Sequence, residues 1–175
     1  MRSQANRRLA YDAAFLALSL ILSYLESLLS GFLPIPGLKL GLPNVAVMAV
    51  FCLFGKKDAL AVSLLRCFVQ FLLFGSAPAL LLSLSGALLS FFVLFLADCG
   101  RRRGIGVIGA SVLSAAAHIT GQCAVALLFY GFLPVLFYYP TMLALSAPSG
   151  IVTGVLLVLI LRAAERIPGK GERTP

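Results

Sequence analysis

Long apolar runs separated by short polar breaks set the pattern of this chain. Residues 9–30 form the first run. The segment Gly31-Phe-Leu-Pro-Ile-Pro-Gly37 then interrupts it, because proline and glycine favour a loop. Residues 44–54 are apolar but short, and residues 58–74, 79–97, 105–130 and 138–161 supply the remaining runs. A helix rises about 1.5 Å per residue, so about 20 apolar residues cross a hydrocarbon core. Residues 44–54 reach roughly half that distance unless residues 38–43 extend them. The pattern predicts an all-α integral membrane protein, a bundle of six transmembrane helices. Residues 1–167 form its single membrane domain and residues 168–175 a polar cytoplasmic tail.

Composition removes the soluble alternative. Apolar residues fill 61% of the 175 positions and charged residues 11%, whereas a soluble domain carries about 25% charged residues. The net charge of +8 does not point to nucleic acid, since no basic stripe is interleaved with aromatics. The bases sit at the breaks instead. Arg2, Arg7 and Arg8 precede the first run, and Arg162, Arg166, Lys170 and Arg173 follow the last. Lys56 and Lys57, then Arg101 to Arg103, occupy alternate connections. The connections between hold Lys39 alone, none around Gly75 and Ser76, and none in residues 131–137. Positive charge therefore alternates from loop to loop, as the positive-inside rule requires for six spans with both termini in the cytoplasm. Without the short second span, Lys56, Lys57 and the C-terminal bases would fall on the wrong side.

Two further features are expected to be structural. The first run follows basic residues, as in a signal peptide, but it is long, contains Glu26 and lacks a small-x-small cleavage site, so it is expected to stay as an anchor. Cys52, Cys67, Cys99 and Cys123 form no C-x-x-C pair, which argues against a disulfide framework or zinc site. Free cysteines of this kind behave as small hydrophobes.

Polar residues inside the apolar runs carry the functional information. Arg66 lies near the middle of the third run, where a charge costs about 2.5–3.5 kcal/mol on insertion scales. Ser63 and Gln70 lie about one helical turn away on the same face. In the fifth run Ser111, Ser114, His118, Gly121 and Gln122 form one stripe. Ser83, Gly86 and Ser90 repeat the pattern on the fourth, and Ser146, Ser149 and Thr153 on the sixth. Glu26 sits toward the outer end of the first run, near Ser19, Ser23 and Ser30. Arg66 and His118 fall near the midplane, with Glu26, Gln70 and Gln122 in the outer half. They are expected to converge on a cavity open to the outside beneath residues 31–43.

The candidate substrate-binding residues are thus Arg66, His118, Gln122, Gln70, Glu26 and Asn44. Arg66 and His118 would meet an anionic or hydrogen-bond-accepting group, and the others would orient the ligand. Tyr24, Tyr138 and Tyr139 could supply ring or isoprenoid contacts. Structural alternatives stand beside these roles. Arg66 could pair with Glu26, about 8 Å away in depth by helix rise. His118 and the serines could be packing and interhelical hydrogen-bonding residues. Ala10, Ala13, Ala14 and Ala17 form small-x-x-x-small pairs that suit either an internal contact or a docking face for a partner.

Several segments carry a family likeness. Residues 12–27 (DAAFLALSLILSYLES), 40–47 (LGLPNVAV), 83–90 (SLSGALLS), 109–122 (GASVLSAAAHITGQ), and Arg66 with Phe74-Gly75-Ser76 resemble the Gx transporter family, also known as heptaprenyl diphosphate synthase component I. The likeness runs from about residue 12 to 154. Its most specific parts are His-x-x-Gly-Gln at 118–122 and Leu-Gly-Leu-Pro-Asn at 40–44. The family commonly has His-Asn-x-Gly-Gln, and this chain has Ile119 at the second position. The family is similar to the substrate-binding S components of energy-coupling factor (ECF) transporters, six-helix proteins that capture vitamins or metabolic precursors from outside. The resemblance implies a bacterial plasma-membrane protein with a pocket in the outer half, capped by the first loop. It also implies that the alanine face of the first span docks on a coupling protein driven by cytoplasmic ATPases.

No Gly-x-x-x-x-Gly-Lys-Ser/Thr loop occurs, so ATP hydrolysis would belong to partners. Prenyl diphosphate synthases hold magnesium through aspartate-rich motifs, because hard carboxylates must bridge diphosphate-bound metals. Asp12, Asp58 and Asp98 are isolated here. No catalytic residue, metal site or cofactor is expected, and the chain is not expected to be an enzyme. The leading expectation is an uptake subunit for a small external solute, vitamin-like or of isoprenoid or quinone-precursor type. The alternatives are a non-catalytic accessory subunit of heptaprenyl diphosphate synthesis and a scaffolding bundle with no ligand.

Overall fold

The computed structural model describes residues 2–30, 41–74, 77–100 and 106–165, which form six α-helices and no strand. These are α1 (Arg2–Ser30), α2 (Leu42–Leu53), α3 (Lys56–Phe74), α4 (Ala77–Gly100), α5 (Val107–Tyr130) and α6 (Phe132–Glu165). Helices α1, α4, α5 and α6 are long and apolar enough to cross a membrane. The chain is a multi-pass membrane protein.

Helix α2 is short, yet it is the most enclosed element. Every residue from Pro43 to Phe51 is buried, and α1, α3 and α6 all pack against it. At about 18 Å it is too short to span alone, so its ends need protein, not lipid, around them. Its residues Val47, Met48, Val50 and Phe51 build the main core with Ala59, Val62, Leu94 and Leu157. Aromatic contacts tie its end to neighbours. Phe54 stacks on Tyr11 at 5.5 Å and meets Phe15 edge-on at 6.0 Å, and Phe51 meets Phe91 at 5.9 Å.

Helices α4, α5 and α6 pack closely because small residues line their seams. A Cβ on Gly121 would lie 2.6 Å from the Ser85 carbonyl oxygen, and one on Gly150 would lie 2.6 Å from Val112 Cα. Gly154 likewise faces Ile108 Cα, at 3.0 Å. Hydroxyl pairs reinforce both seams: Ser90 with Ser114 at 2.6 Å, and Ser111 with Thr153 at 2.8 Å. These serine stripes are therefore interhelical packing. Gly150 and Gly154 form a small-x-x-x-small pair, the spacing that lets membrane helices approach closely.

The sixth helix corrects one expectation. Residues 131–137 were expected to form a connection, but α6 begins at Phe132 and only Gly131 separates it from α5. Gly131 turns the chain at φ 78°, and its N–H caps the Leu127 carbonyl. Pro134 falls in the first turn of α6, where a helix does not need that N–H. Pro140 and Pro148 lie within the helix, as membrane helices tolerate when neighbours and side chains satisfy the freed carbonyls.

At one end of the bundle Lys56 Nζ pairs with Asp98 Oδ2 at 3.0 Å and lies 4.2 Å from the Phe95 ring centroid. The start of α3 and the end of α4 thus share a level. Lys39, Gly75, Ser76, Arg101 to Arg103 and the tail at 168–175 lie outside the described residues. Cys52, Cys67 and Cys123 are not joined by disulfide bonds.

The glycine seams are testable. Gly150→Ala is expected to destabilise the bundle by about 1–3 kcal/mol, the range for forced overpacking. Gly106→Ala, with nothing within 4 Å of its added Cβ, is expected to leave the thermal unfolding midpoint in detergent unchanged.

Candidate functional site

The polar residues of α3, α4 and α5 come to matching levels. Ser63, Ser90 and Ser114, with Asn44 from the first turn of α2, border one small space inside the bundle. By helix rise, Arg66 lies about 4.5 Å beyond Ser63, and Gly86 and His118 about 6 Å beyond Ser90 and Ser114, all toward the same end. Arg66, Gly86 and His118 therefore form the next layer, with Gln70 and Gln122 a turn further on.

Arg66 is only 5% exposed. Its Nε is buried with no hydrogen-bond partner, and among the described residues no carboxylate lies within ion-pairing distance of it. The alternative pairing with Glu26 is not formed. Glu26, equally buried, instead accepts a hydrogen bond from the Gly41 backbone N–H at 2.5 Å. Gly41 is left-handed at φ 74° and precedes α2. Glu26 thereby fixes where α2 starts, one turn of chain before Asn44.

On α5 the Gln122 amide donates to His118 Nε2 at 3.1 Å. Gly86 makes this pair possible. A Cβ there would lie 2.9 Å from both Gln122 Cγ and His118 Cε1. Gly86 is thus a shaping residue that its place in a serine stripe had marked only as packing.

A cavity of about 480 Å³ lies between α4, α5 and α6. Gln122 borders it, together with Leu82, Ile119, Cys123, Tyr138 and Met142. Arg66, His118, Glu26, Asn44 and Gln70 are not in its wall. The chamber expected beneath the first loop rests on residues 31–40, which lie outside the described set. Of the three tyrosines, Tyr24 and Tyr138 are exposed. Tyr139 is held by Thr120 Oγ1 at 3.1 Å, so it is an α5–α6 contact.

A family model for heptaprenyl diphosphate synthase component I matches residues 15–160. The chain belongs to that family. No curated protein and no solved structure matches it. In this component I chain, Asp98 is engaged with Lys56. No group of three or more His, Cys, Asp or Glu among the described residues is placed to hold a metal. Ala10, Ala13, Ala14 and Ala17 are all exposed. The stripe is therefore not an internal contact.

The sequence missed the α4–α5–α6 cavity. Its signal was available in small Ala79 and Ala126 near bulky Tyr130 and Tyr138 on neighbouring turns, but only the crossing of three helices turns that contrast into a hollow.

Because the chain has one histidine, its imidazole signal reports on the site directly. Gly86→Ala is expected to shift the His118 ring resonances in an NMR spectrum of the micelle-bound protein. Gly106→Ala should leave them in place. An unmoved spectrum in the Gly86 variant would show that the His118–Gln122 pair does not depend on the α4 glycine.

Proposed function

We propose that this component I chain is the substrate-binding subunit of an uptake system in the bacterial plasma membrane. In this reading six spans, with both termini cytoplasmic, capture a small solute from outside, as the S components of ECF transporters do. The observation that carries it is Arg66: a guanidinium, which stays charged at any physiological pH, buried with no counter-charge among the described residues. A buried charge left without its partner costs about 3–5 kcal/mol. An anionic group on the ligand supplies the missing partner.

The rest of the layer fits that role. His118 and Gln122, held together over Gly86, hydrogen-bond the neighbouring part of the solute. Gln70 and Asn44 orient it, and Glu26 acts at the rim by holding Gly41. The solute is vitamin-like or of isoprenoid or quinone-precursor type. The exposed Ala10, Ala13, Ala14 and Ala17 face docks on a coupling protein whose cytoplasmic ATPases provide the energy.

A second reading follows from the family name: a non-catalytic accessory subunit of heptaprenyl diphosphate synthesis. It predicts that the chain co-purifies with a soluble prenyl synthase through its cytoplasmic ends. Co-purification with ATPases and a coupling protein favours uptake.

In cells, Arg66→Ala and His118→Ala are each expected to lower uptake about tenfold or more, matching the roughly 1.5–3 kcal/mol of a hydrogen bond to a charged group. Arg66→Lys, which keeps the charge but not the fork of donors, should retain part of the activity. Unchanged uptake in folded Arg66→Ala and His118→Ala protein would refute the assignment.

A further inference from the structure

The cavity between α4, α5 and α6 has a different chemistry from the Arg66 layer. Leu82, Ile119, Ala126 and Met142 contribute apolar wall, no charged residue lines it, and Gln122 supplies an amide. Ala79, Tyr130, Pro134 and Tyr138 belong to the lining and are themselves exposed. The cavity therefore opens on the outer surface of the bundle. Ala79 is the third residue of α4, Tyr130 the last of α5 and Pro134 the third of α6, so the mouth lies at the ends of three apolar helices, at the edge of the belt that a bilayer covers.

Water-soluble ligands fit such a hollow poorly. A polar group moved into it loses its hydration, and one amide cannot replace what was lost. An apolar chain already dissolved in the membrane loses nothing on moving in. At about 30 Å³ per water-sized group, the volume of about 480 Å³ holds roughly sixteen such groups.

We propose that this cavity binds the apolar body of a single prenyl or acyl chain of roughly sixteen carbons, entering from the bilayer and lying against Leu82, Ile119, Ala126 and Met142. As a statement of substrate class it rests on the uptake reading, which it deepens. Occupancy of the cavity is nevertheless measured apart from uptake.

Cys123 borders the cavity and serves as the reporter. The full chain is placed in lipid nanodiscs, and modification of Cys123 and of exposed Cys52 by a small methanethiosulfonate is followed by peptide mass spectrometry. Farnesol is the prenyl probe and palmitic acid the acyl probe. At about ten times its Kd a bound probe lowers the free fraction, and so the Cys123 rate, about tenfold, while Cys52 is unaffected. Protection by farnesol alone identifies a prenyl chain, by palmitic acid alone an acyl chain, and by both a site that reads only the apolar body. Ala126→Phe, which fills the hollow, is expected to remove the probe dependence. If that variant loses its unfolding transition, Ala79→Leu at the rim takes its place.

Cys123 rates unchanged by either probe overturn the proposal. So does equal slowing of Cys52 and Cys123, which would be partition into the bilayer, and so does a Cys123 that never reacts while Cys52 does. Probe protection with uptake indifferent to Arg66 would sink the uptake reading and keep the cavity. The opposite pair of results would sink the cavity alone.

Discussion

Helices surrounded by lipid gain little from hiding apolar surface against one another, because the acyl chains are as apolar as leucine. Cohesion must come from close approach and from polar groups that meet across a seam. In this protein both are concentrated on α5. It presents Val112 and Ile108 to Gly150 and Gly154 of α6, and Gly121 to the Ser85 carbonyl of α4. The hydroxyl pairs Ser90–Ser114 and Ser111–Thr153 lie on the same two seams. With α4, α5 and α6 fixed in this way, α2 is enclosed by α1, α3 and α6, and its short length becomes tolerable.

Two chemically different environments then arise from one packing arrangement. Where α3, α4 and α5 face inward, the residues are polar: Arg66, Ser63, Ser90, Ser114 and His118. Where α4, α5 and α6 diverge at the opposite flank, the side chains are apolar and leave a hollow. Gln122 belongs to both, bound to His118 on one side and bordering the cavity on the other. Gly86 controls the junction, since any side chain there would push the His118–Gln122 pair aside. The family to which the chain belongs is named heptaprenyl diphosphate synthase component I, and the bundle has both a buried cation, Arg66, and an apolar hollow.

Much of the fold was legible because hydrocarbon is a strict solvent. Runs of apolar residues marked α3, α4 and α5 to within a few residues, whereas α1 starts at Arg2, seven residues ahead of its run. The start of α6 was not legible in that way. Residues 131–137 carry no charge that would mark where a connection ends, and Pro134 fits the first turn of a helix without losing a needed N–H. The serine stripes were visible as spacing, and their partners followed once α4, α5 and α6 were seen to be neighbours. The Arg66–Glu26 pairing failed for a different reason. Helix rise gives depth but not the direction a side chain takes around the axis, and Glu26 is drawn to the Gly41 N–H. The position of Arg66 in the middle of an apolar run was visible in the sequence, and the residue is buried. The 480 Å³ hollow was not visible, because empty space has no letter in a sequence.

The single-residue link at Gly131 has one more consequence. With α5 and α6 joined so tightly and locked along Gly150 and Gly154, the two helices must travel as one stiff hairpin. Breathing of the hollow between them and α4 is then confined to the far end of α4, near Ala79. The hollow therefore has two walls joined as one body and a third, α4, tied to them by packing alone.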